Sequence, residues 1–512
     1  MKMIHGMNKS DNFFPYLSVL AFIFLLTGCS SQQVNEQPNI LILFVDDMGY
    51  GDVGVYNEDS KIPTPNIDGL AEEGMRFMHA HAPGAVCHPS RYGLLTGRYP
   101  FRTNTNVWPD KPVIEEGRMT IASLLQEEGY RTAMVGKWHL GFDESQATDP
   151  LYNDEGNNTR AAYRHYQESQ QLAGGPADRG FDSFFGIRAS TDIPPYFYIR
   201  DDRVVNPPSD SIASNFSDGW TDIQGAFWRE GGIASDLDLA EVLPRFTEEA
   251  VAVIENHSRN FPKQPLMLYV ALPSPHTPWL PSEAYQGTSG AGMYGDFMAM
   301  VDGKVGEILK TLEQLNMSEE TLVIFTSDNG PVWFPEDVQR WGHDSAGGLR
   351  GMKGDAYEAG HRMPFIVRWP GVVQPGSRSD QVISFTDVLA TFSDILSKPL
   401  PEGAGEDSFS LFPVLKGEHA ENKAIRPPVV SLSARGIRSI QDQQWKLIEG
   451  LGSGGFSQPA FIEPEASGPQ GQLYSLTDDS AETNNLWDEH PEVVERLTML
   501  LRKWEQAGQS RK

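Results

Sequence analysis

Cysteine is nearly absent from this 512-residue chain: there are two. Cys29 ends the run Leu26-Thr27-Gly28-Cys29, after a mostly apolar segment at 13–27 that follows Lys2 and Lys9. That layout is a secretory signal with a lipobox-like end, and Cys29 is the residue expected to carry the lipid. The apolar segment is too short for a comfortable membrane span. The expectation is an exported bacterial lipoprotein, periplasmic or cell-surface and held to the membrane by its lipid anchor, with signal peptide 1–28 and linker 29–37. With Cys29 acylated and Cys87 used for chemistry, no disulfide remains. An exported chain without one relies on its core, and this length allows a large core.

A basic tract is missing as well. Lys and Arg total 41 against 69 Asp and Glu, a formal charge of −28. This excludes nucleic acid as an expected partner. An enzyme of this charge that handles anions must concentrate positive charge in its pocket, against a negative whole. The acidity itself suits solubility in a salty, marine setting, where screening shortens long-range repulsion. Internal repeats are also lacking.

What is present reads as α/β. Residues 40–45, Ile-Leu-Ile-Leu-Phe-Val, form a continuous apolar run, as in a strand covered on both faces. Similar runs occupy 132–135, 266–272, 322–326 and 365–369. Between them, Phe297, Val301, Val305, Ile308, Leu312 and Leu315 recur at helical steps that Asn316 can close. Ile121, Leu124 and Leu125 do the same before Gly129. The alternation predicts a large, mostly parallel or mixed sheet sandwiched by helices, over 38–421. Residues 141–235 have little periodicity and read as long rim loops. Beyond 422 the pattern changes: 436–448 alternates like a hairpin around Gln441-Asp442-Gln443, and Pro491 opens a last helix. That predicts a smaller C-terminal α+β domain, 422–512, of antiparallel sheet plus helix.

Four strand candidates run into chemically capable residues. They are Asp46-Asp47, Lys137-Trp138-His139, Ser274-Pro275-His276 and Ser327-Asp328-Asn329. Open α/β sheets bind ligands beyond the carboxyl ends of their strands, so the four groups should gather on one edge. Singly, each is ordinary turn chemistry. Asp46, Asp47, Asp328 and Asn329 offer only hard oxygen donors, which suit Ca²⁺, with Mg²⁺ possible, over Zn²⁺. Three carboxylates exceed a divalent charge, and Arg91 can offset the excess. Cys87 opens Cys87-His88-Pro89-Ser90-Arg91, which suits a helix N-terminus whose N–H groups face an anion.

These motifs resemble the formylglycine-dependent type I sulfatases of the alkaline-phosphatase-like superfamily. The likeness runs from Asn39 almost to the C-terminus, through Cys87-x-Pro89-Ser90-Arg91…Leu95-Thr96-Gly97-Arg98, Gly136-Lys137-Trp138-His139, Pro275-His276-x-Pro278, Asp328-Asn329-Gly330 and Gly351-x-Lys353. It implies hydrolysis of sulfate monoesters, with Cys87 converted to formylglycine by a formylglycine-generating enzyme. It also implies that residue 87 joins Asp46, Asp47, Asp328 and Asn329 at the metal. Arg91, Lys137, His139, His276 and Lys353 would be the sulfate-binding and acid–base set. The implied route passes through a covalent sulfo-enzyme, with His276 as acid assisted by Lys353, and His139 taking the second diol proton. Asp328 would receive the proton of the attacking hydroxyl. Two positions depart from the family pattern: His88 replaces a small residue, and Glu358-Ala359-Gly360 replaces Glu-Gly-Gly. An Ala is tolerated unless its φ is positive.

The implied substrate is an extracellular sulfated polysaccharide or oligosaccharide, an algal galactan or fucan before a glycosaminoglycan. Two alternatives stay open: a formylglycine-dependent phosphonate monoester or phosphodiester hydrolase, and a catalytically silent glycan-binding lipoprotein. Because the chain between Asn329 and Lys353 is short, Trp333, His343 and Arg350 are expected near the pocket mouth as substrate-binding residues with His88. Tyr196, Tyr198 and Trp228 are weaker candidates from the loop stretch.

Overall fold

In the computed structural model the described residues are 37–108, 111–145, 165–420 and 422–511. The lipobox expectation at Cys29 lies outside them. The strands in chain order begin with β1 (Asn39–Asp46), β2 (Met75–His81), β3 (Arg131–Lys137) and β4 (Ser183–Ile187). Short β5 (Ile199–Arg200), β6 (Arg203–Val204), β7 (Asp210–Ile212) and β8 (Gly231–Ile233) follow. Then come β9 (Leu266–Pro275), β10 (Thr321–Ser327), β11 (Arg362–Arg368) and β12 (Ser377–Ser384). Ten of these strands form one sheet, in the order β12-β2-β11-β10-β1-β9-β3-β4-β5-β6. The centre is parallel: β1 pairs in parallel with β10 and β9, and β3 with β9 and β4. Strand β11 runs antiparallel to β10 and β2, so the sheet is mixed.

Strand β1 shows why its sequence is apolar throughout. Ile40, Ile42 and Phe44 enter one core, and Leu41, Leu43 and Val45 enter the other. Successive side chains of a strand point to opposite faces, so a strand between two helical layers needs apolar residues on both. One layer contains α1 (Pro65–Glu72), α4 (Val242–Asn260) and α5 (Gly292–Gln314); the other contains α2 (Cys87–Thr96), α3 (Ile121–Glu127) and α8 (Asp387–Ile395). Between these lie the short α6 (Pro335–Trp341) and α7 (Glu358–His361), and α9 (Phe412–Leu415) follows α8. Helix α5 covers the expected stripe as far as Leu312, Leu315 caps it, and Asn316 beyond takes a left-handed φ of 56°, a common way to stop a helix.

A second sheet, β13 (Val429–Leu432), β14 (Arg438–Gln441), β15 (Trp445–Ile448) and β16 (Gln472–Ser475), is antiparallel. The expected hairpin is β14–β15, with Gln441 opposite Lys446. Helix α10 (Pro491–Ala507) packs on it through Leu497, Leu501 and Trp504. Several strands escape sequence patterning, β5 to β8 and β12 among them. Strand β2, Met-Arg-Phe-Met-His-Ala-His, carries polar residues in the sheet interior, and β4 sits inside the stretch read as rim loops.

Candidate active site

The site gathers at the carboxyl edge of β1, β3, β9 and β10, facing the start of α2. Asp46 ends β1, Lys137 ends β3, and Pro275 of β9 is followed by His276. Asp328 and Asn329 follow β10. Gly136 permits this placement. Its φ is 117°, and a Cβ there would lie 2.0 Å from the Ala271 carbonyl oxygen, so only glycine lets β3 approach β9 this closely. Asp47 and His139 both adopt left-handed backbone, φ 64° and 57°. That costs a residue with a side chain about 1–2 kcal/mol, and strain of this kind persists where surrounding structure over-determines it.

Cys87, the first residue of α2, lies with its sulfur 3.5 Å from Asp46 Oδ1 and 3.6 Å from the Lys353 ammonium. Lys353 is 2.6 Å from Asp47 Oδ1, and Lys137 donates to Asp46 Oδ2. Arg91, one turn along α2, is 1% exposed and fully engaged. Its Nη2 donates to Asp46 at 2.8 Å and Asp328 at 2.9 Å, and its Nη1 to the Lys137 carbonyl at 2.9 Å. Arg91 therefore balances the carboxylates from below rather than facing the mouth. Asn329 Nδ2 donates to Asp47 Oδ1 at 2.7 Å. His276 Nδ1 donates to its neighbour's carbonyl at 2.8 Å, leaving Nε2 to face Asp47 Oδ2 at 3.6 Å.

Burial opposes the charged form of Asp46, yet Lys137 and Arg91 outweigh it and hold this carboxyl far below its ordinary range. Asp47 and Asp328 move the other way. Burial and the neighbouring Asp46 raise both, Asp328 to about 6. The carboxylate cluster is thus short of positive charge. Asn329 Oδ1, buried and without a hydrogen-bond partner, is an oxygen waiting for a ligand of that sign. An oxygen-only donor set with an orphaned carbonyl and under-compensated carboxylates fits a hard divalent cation. Asp46, Asp47, Cys87 and His276 also offer ligand atoms within 4.8 Å of one another. Burial, then the nearby lysines, keep the histidines neutral: His276 falls to about 4, His88 to about 4, and His139 well below its usual value. Burial and Asp46 push the Cys87 thiol well up, so as an unmodified thiol it is a poor nucleophile.

Two walls around this centre include residues that sequence reasoning passed over. On one side Trp108 meets His139 edge-on at 4.5 Å and stacks with the half-buried His88 at 5.8 Å. On the other, buried Asp192 lies 3.9 Å from His276 Nδ1 and holds Arg229, whose side chain is 49% exposed. No motif marks these positions.

Two of the expected substrate contacts, Trp333 and His343, are corrected. Trp333 is 4% exposed, packs on Tyr294, and donates its indole N–H to the His343 carbonyl at 2.9 Å. His343 is fully buried, with Nε2 2.8 Å from Asp52 Oδ1 and Nδ1 accepting from the Lys61 N–H. Neither has a face left for a sugar. Arg350 differs from these two: it lies over the Tyr357 ring at 3.9 Å and its Nη1 donates to the Tyr474 hydroxyl and the Glu482 carbonyl, but the residue is exposed. Tyr196 and Tyr198 are buried core residues, and half-buried Trp228 donates to the Ala213 carbonyl within the loops. Ala359 has no positive φ, so its replacement of glycine is tolerated.

A mixed sheet between helices, with lysines, histidines and clustered carboxylates around a helix N-terminus, defines a hydrolase of anionic esters. The family model described as Sulfatase matches residues 38–398. An N-acetylgalactosamine-6-O-sulfatase of Bacteroides thetaiotaomicron is 34% identical, covering 95% of this chain and 98% of that protein. Human arylsulfatase A is 30% identical, over 82% of this chain and 76% of its own. A solved Bacteroides thetaiotaomicron structure, described for the metabolism of multiple glycosaminoglycans, superposes with TM-score 0.75 at 31% identity, over 92% of this chain and 100% of that one. The chain belongs to the sulfatase family and is a sulfuric ester hydrolase.

Proposed function

We propose that this sulfatase removes sulfate from an extracellular glycan, by way of formylglycine made from Cys87. The observation that carries the reading is the meeting of Cys87 with Lys353 at 3.6 Å and Asp46 at 3.5 Å, at the start of a helix. When present, hydrated formylglycine supplies an attacking hydroxyl, and Ca²⁺ held by Asp46, Asp47, Asp328 and Asn329 supplies charge at a sulfate oxygen. Lys137 and Lys353 hold the anionic ester and its developing equatorial charge. His139, kept neutral by burial, can accept a proton. His276 is also neutral in the free site; an anionic ester beside Nε2 raises its affinity for a proton, which it then gives to the leaving oxygen.

For the sugar, we infer a galacto-configured unit bearing a 6-sulfate. The support is the N-acetylgalactosamine-6-sulfatases among the relatives, in a bacterium and in mammals. The acidic charge of −28, read as a mark of a salty habitat, favours galactans within that class. A sulfate-release screen over galactose and N-acetylgalactosamine 6-sulfates, their 4-sulfates, fucan and glucosamine 6-sulfate tests it. Faster release from fucan or glucosamine would overturn it. Faster cleavage of phosphonate monoesters than of any sulfate ester would favour the phosphoryl alternative. We also propose anchoring through lipidated Cys29; Cys29→Ala should move the protein from the detergent phase to the aqueous phase.

A further inference from the structure

A second cluster of ligand-bearing side chains lies away from the catalytic edge. His81 ends β2, and Glu358 and His361 are the first and last residues of α7. All three are buried, with ligand atoms within 4.8 Å of one another. The two imidazoles meet through Nδ1 of each, 3.1 Å apart.

The hydrogen bonding around them has two solutions. In the first, the Gln441 amide donates to His81 Nε2 at 3.3 Å, His81 Nδ1–H donates to His361 Nδ1, and His361 Nε2–H donates to the Ala356 carbonyl at 3.3 Å. That arrangement leaves two buried oxygens, Gln441 Oε1 and Glu358 Oε2, with no hydrogen-bond partner. Arg362 lies 3.5 Å from that Glu358 oxygen as a charge neighbour only. Such orphans each cost about 1–3 kcal/mol. The second solution rotates the Gln441 amide so that its oxygen and nitrogen exchange places. Gln441 Oε1 then accepts from His81 Nε2–H, while His361 Nε2–H still needs the Ala356 carbonyl. Both Nδ1 atoms are then bare lone pairs 3.1 Å apart, which only a cation between them can hold. Glu358 Oε2 is the third donor, its other oxygen being held by Lys446 at 2.9 Å.

We propose that His81 Nδ1, His361 Nδ1 and Glu358 bind a zinc-class divalent cation, at a structural site distinct from the catalytic metal. Two nitrogens on tetrahedral Zn²⁺, with bonds near 2.0–2.1 Å, lie about 3.3 Å apart, close to the spacing seen. Two imidazoles and a carboxylate suit zinc and exclude the oxygen-seeking calcium. The carbonyl of Gly360, inside this segment, accepts from the Gly330 N–H at 3.1 Å, directly after Asn329. The cation would therefore pin β2 and α7 together beneath the catalytic loop.

The test is elemental analysis of full-length protein grown with zinc, in the wild type, in Asp47→Asn and in His361→Asn. The expected result is stoichiometric zinc in the first two and none in the third, with a lower melting temperature for zinc-free protein. Absence of zinc from all three, retention in His361→Asn, or loss only in Asp47→Asn would each overturn the proposal. Should His361→Asn fail to fold, zinc-edge anomalous scattering from wild-type crystals decides, since a peak must lie between His81 and His361. None of these readouts involves sulfate release, so they stand or fall separately from the proposed substrate.

Discussion

The ammonium of Lys353 sits 2.6 Å from a carboxylate oxygen of Asp47, a residue 306 positions earlier in the chain. Burial works against the charge on Lys353, but Asp47 and Cys87 hold its affinity for a proton above that of a free lysine. It is therefore a fixed cation beside the side chain of residue 87. Lys353→Ala should lower kcat on a small aryl sulfate by about 100- to 1,000-fold, the scale for one preorganised charge-stabilising group. A fall confined to KM would place Lys353 in binding alone.

Cys87→Ala should abolish turnover and leave the melting temperature nearly unchanged, because the side chain removed is small. Cys87→Ser should be inactive in a host that modifies only cysteine, yet still retain substrate. Mass spectrometry of the peptide containing residue 87 should show the thiol replaced by an aldehyde in active wild-type protein. An unmodified thiol in fully active enzyme would contradict the mechanism.

Removing divalent cations should silence the enzyme, and Ca²⁺ should restore it better than Mg²⁺, since four protein oxygen donors suit the larger ion. Asn329→Ala deletes the orphaned oxygen and should demand more added Ca²⁺ for half-maximal activity. Unchanged calcium dependence in that variant would remove Asn329 from the ligand set.

Trp333→Ala should cost about 3–5 kcal/mol of stability, as for other buried aromatics. Any activity loss should be equal on glycan and on aryl sulfate, because the ring faces the core. Selective loss on glycan would return Trp333 to the substrate.

Specificity should instead follow the two walls. Arg229→Ala removes a half-exposed guanidinium held by Asp192, which itself lies 3.9 Å from His276, and Trp108→Ala removes the ring against His88 and His139. Each should raise KM for the natural glycan about 10-fold or more, the worth of one charge-assisted or stacking contact. Hydrolysis of a small aryl sulfate should be spared. Steady-state kinetics on both substrates decides.

The parts of this molecule readable from its residues are those where burial is uniform or chemistry is dense. Strands β1, β9 and β10 are apolar because helices cover both faces, so an unbroken run was enough to find them. Strand β2 was hidden because His81 is accommodated in the interior by His361 and Gln441, partners that come from distant parts of the chain. Asp46, Lys137, His276, Asp328 and Asn329 were readable because they end or directly follow a strand, and parallel strands deliver such residues to one edge, whereas Cys87, Arg91 and Lys353 were readable only from their motifs.

By itself, then, the order of residues determined the doubly covered sheet, the edge on which Asp46, Lys137, His276 and Asp328 collect, and the motif that opens on Cys87. Which neighbouring side chains face the pocket was decided only by tertiary structure. Trp333 and His343 lie close to Asn329 in the chain, yet Tyr294 and Asp52 claim them for the core. Arg229 and Trp108 carry no motif, yet Trp108 stands against His139 and Arg229 holds the Asp192 that neighbours His276. Sequence spacing limits how far a residue can reach, whereas the direction of its side chain is set by packing against partners hundreds of positions away.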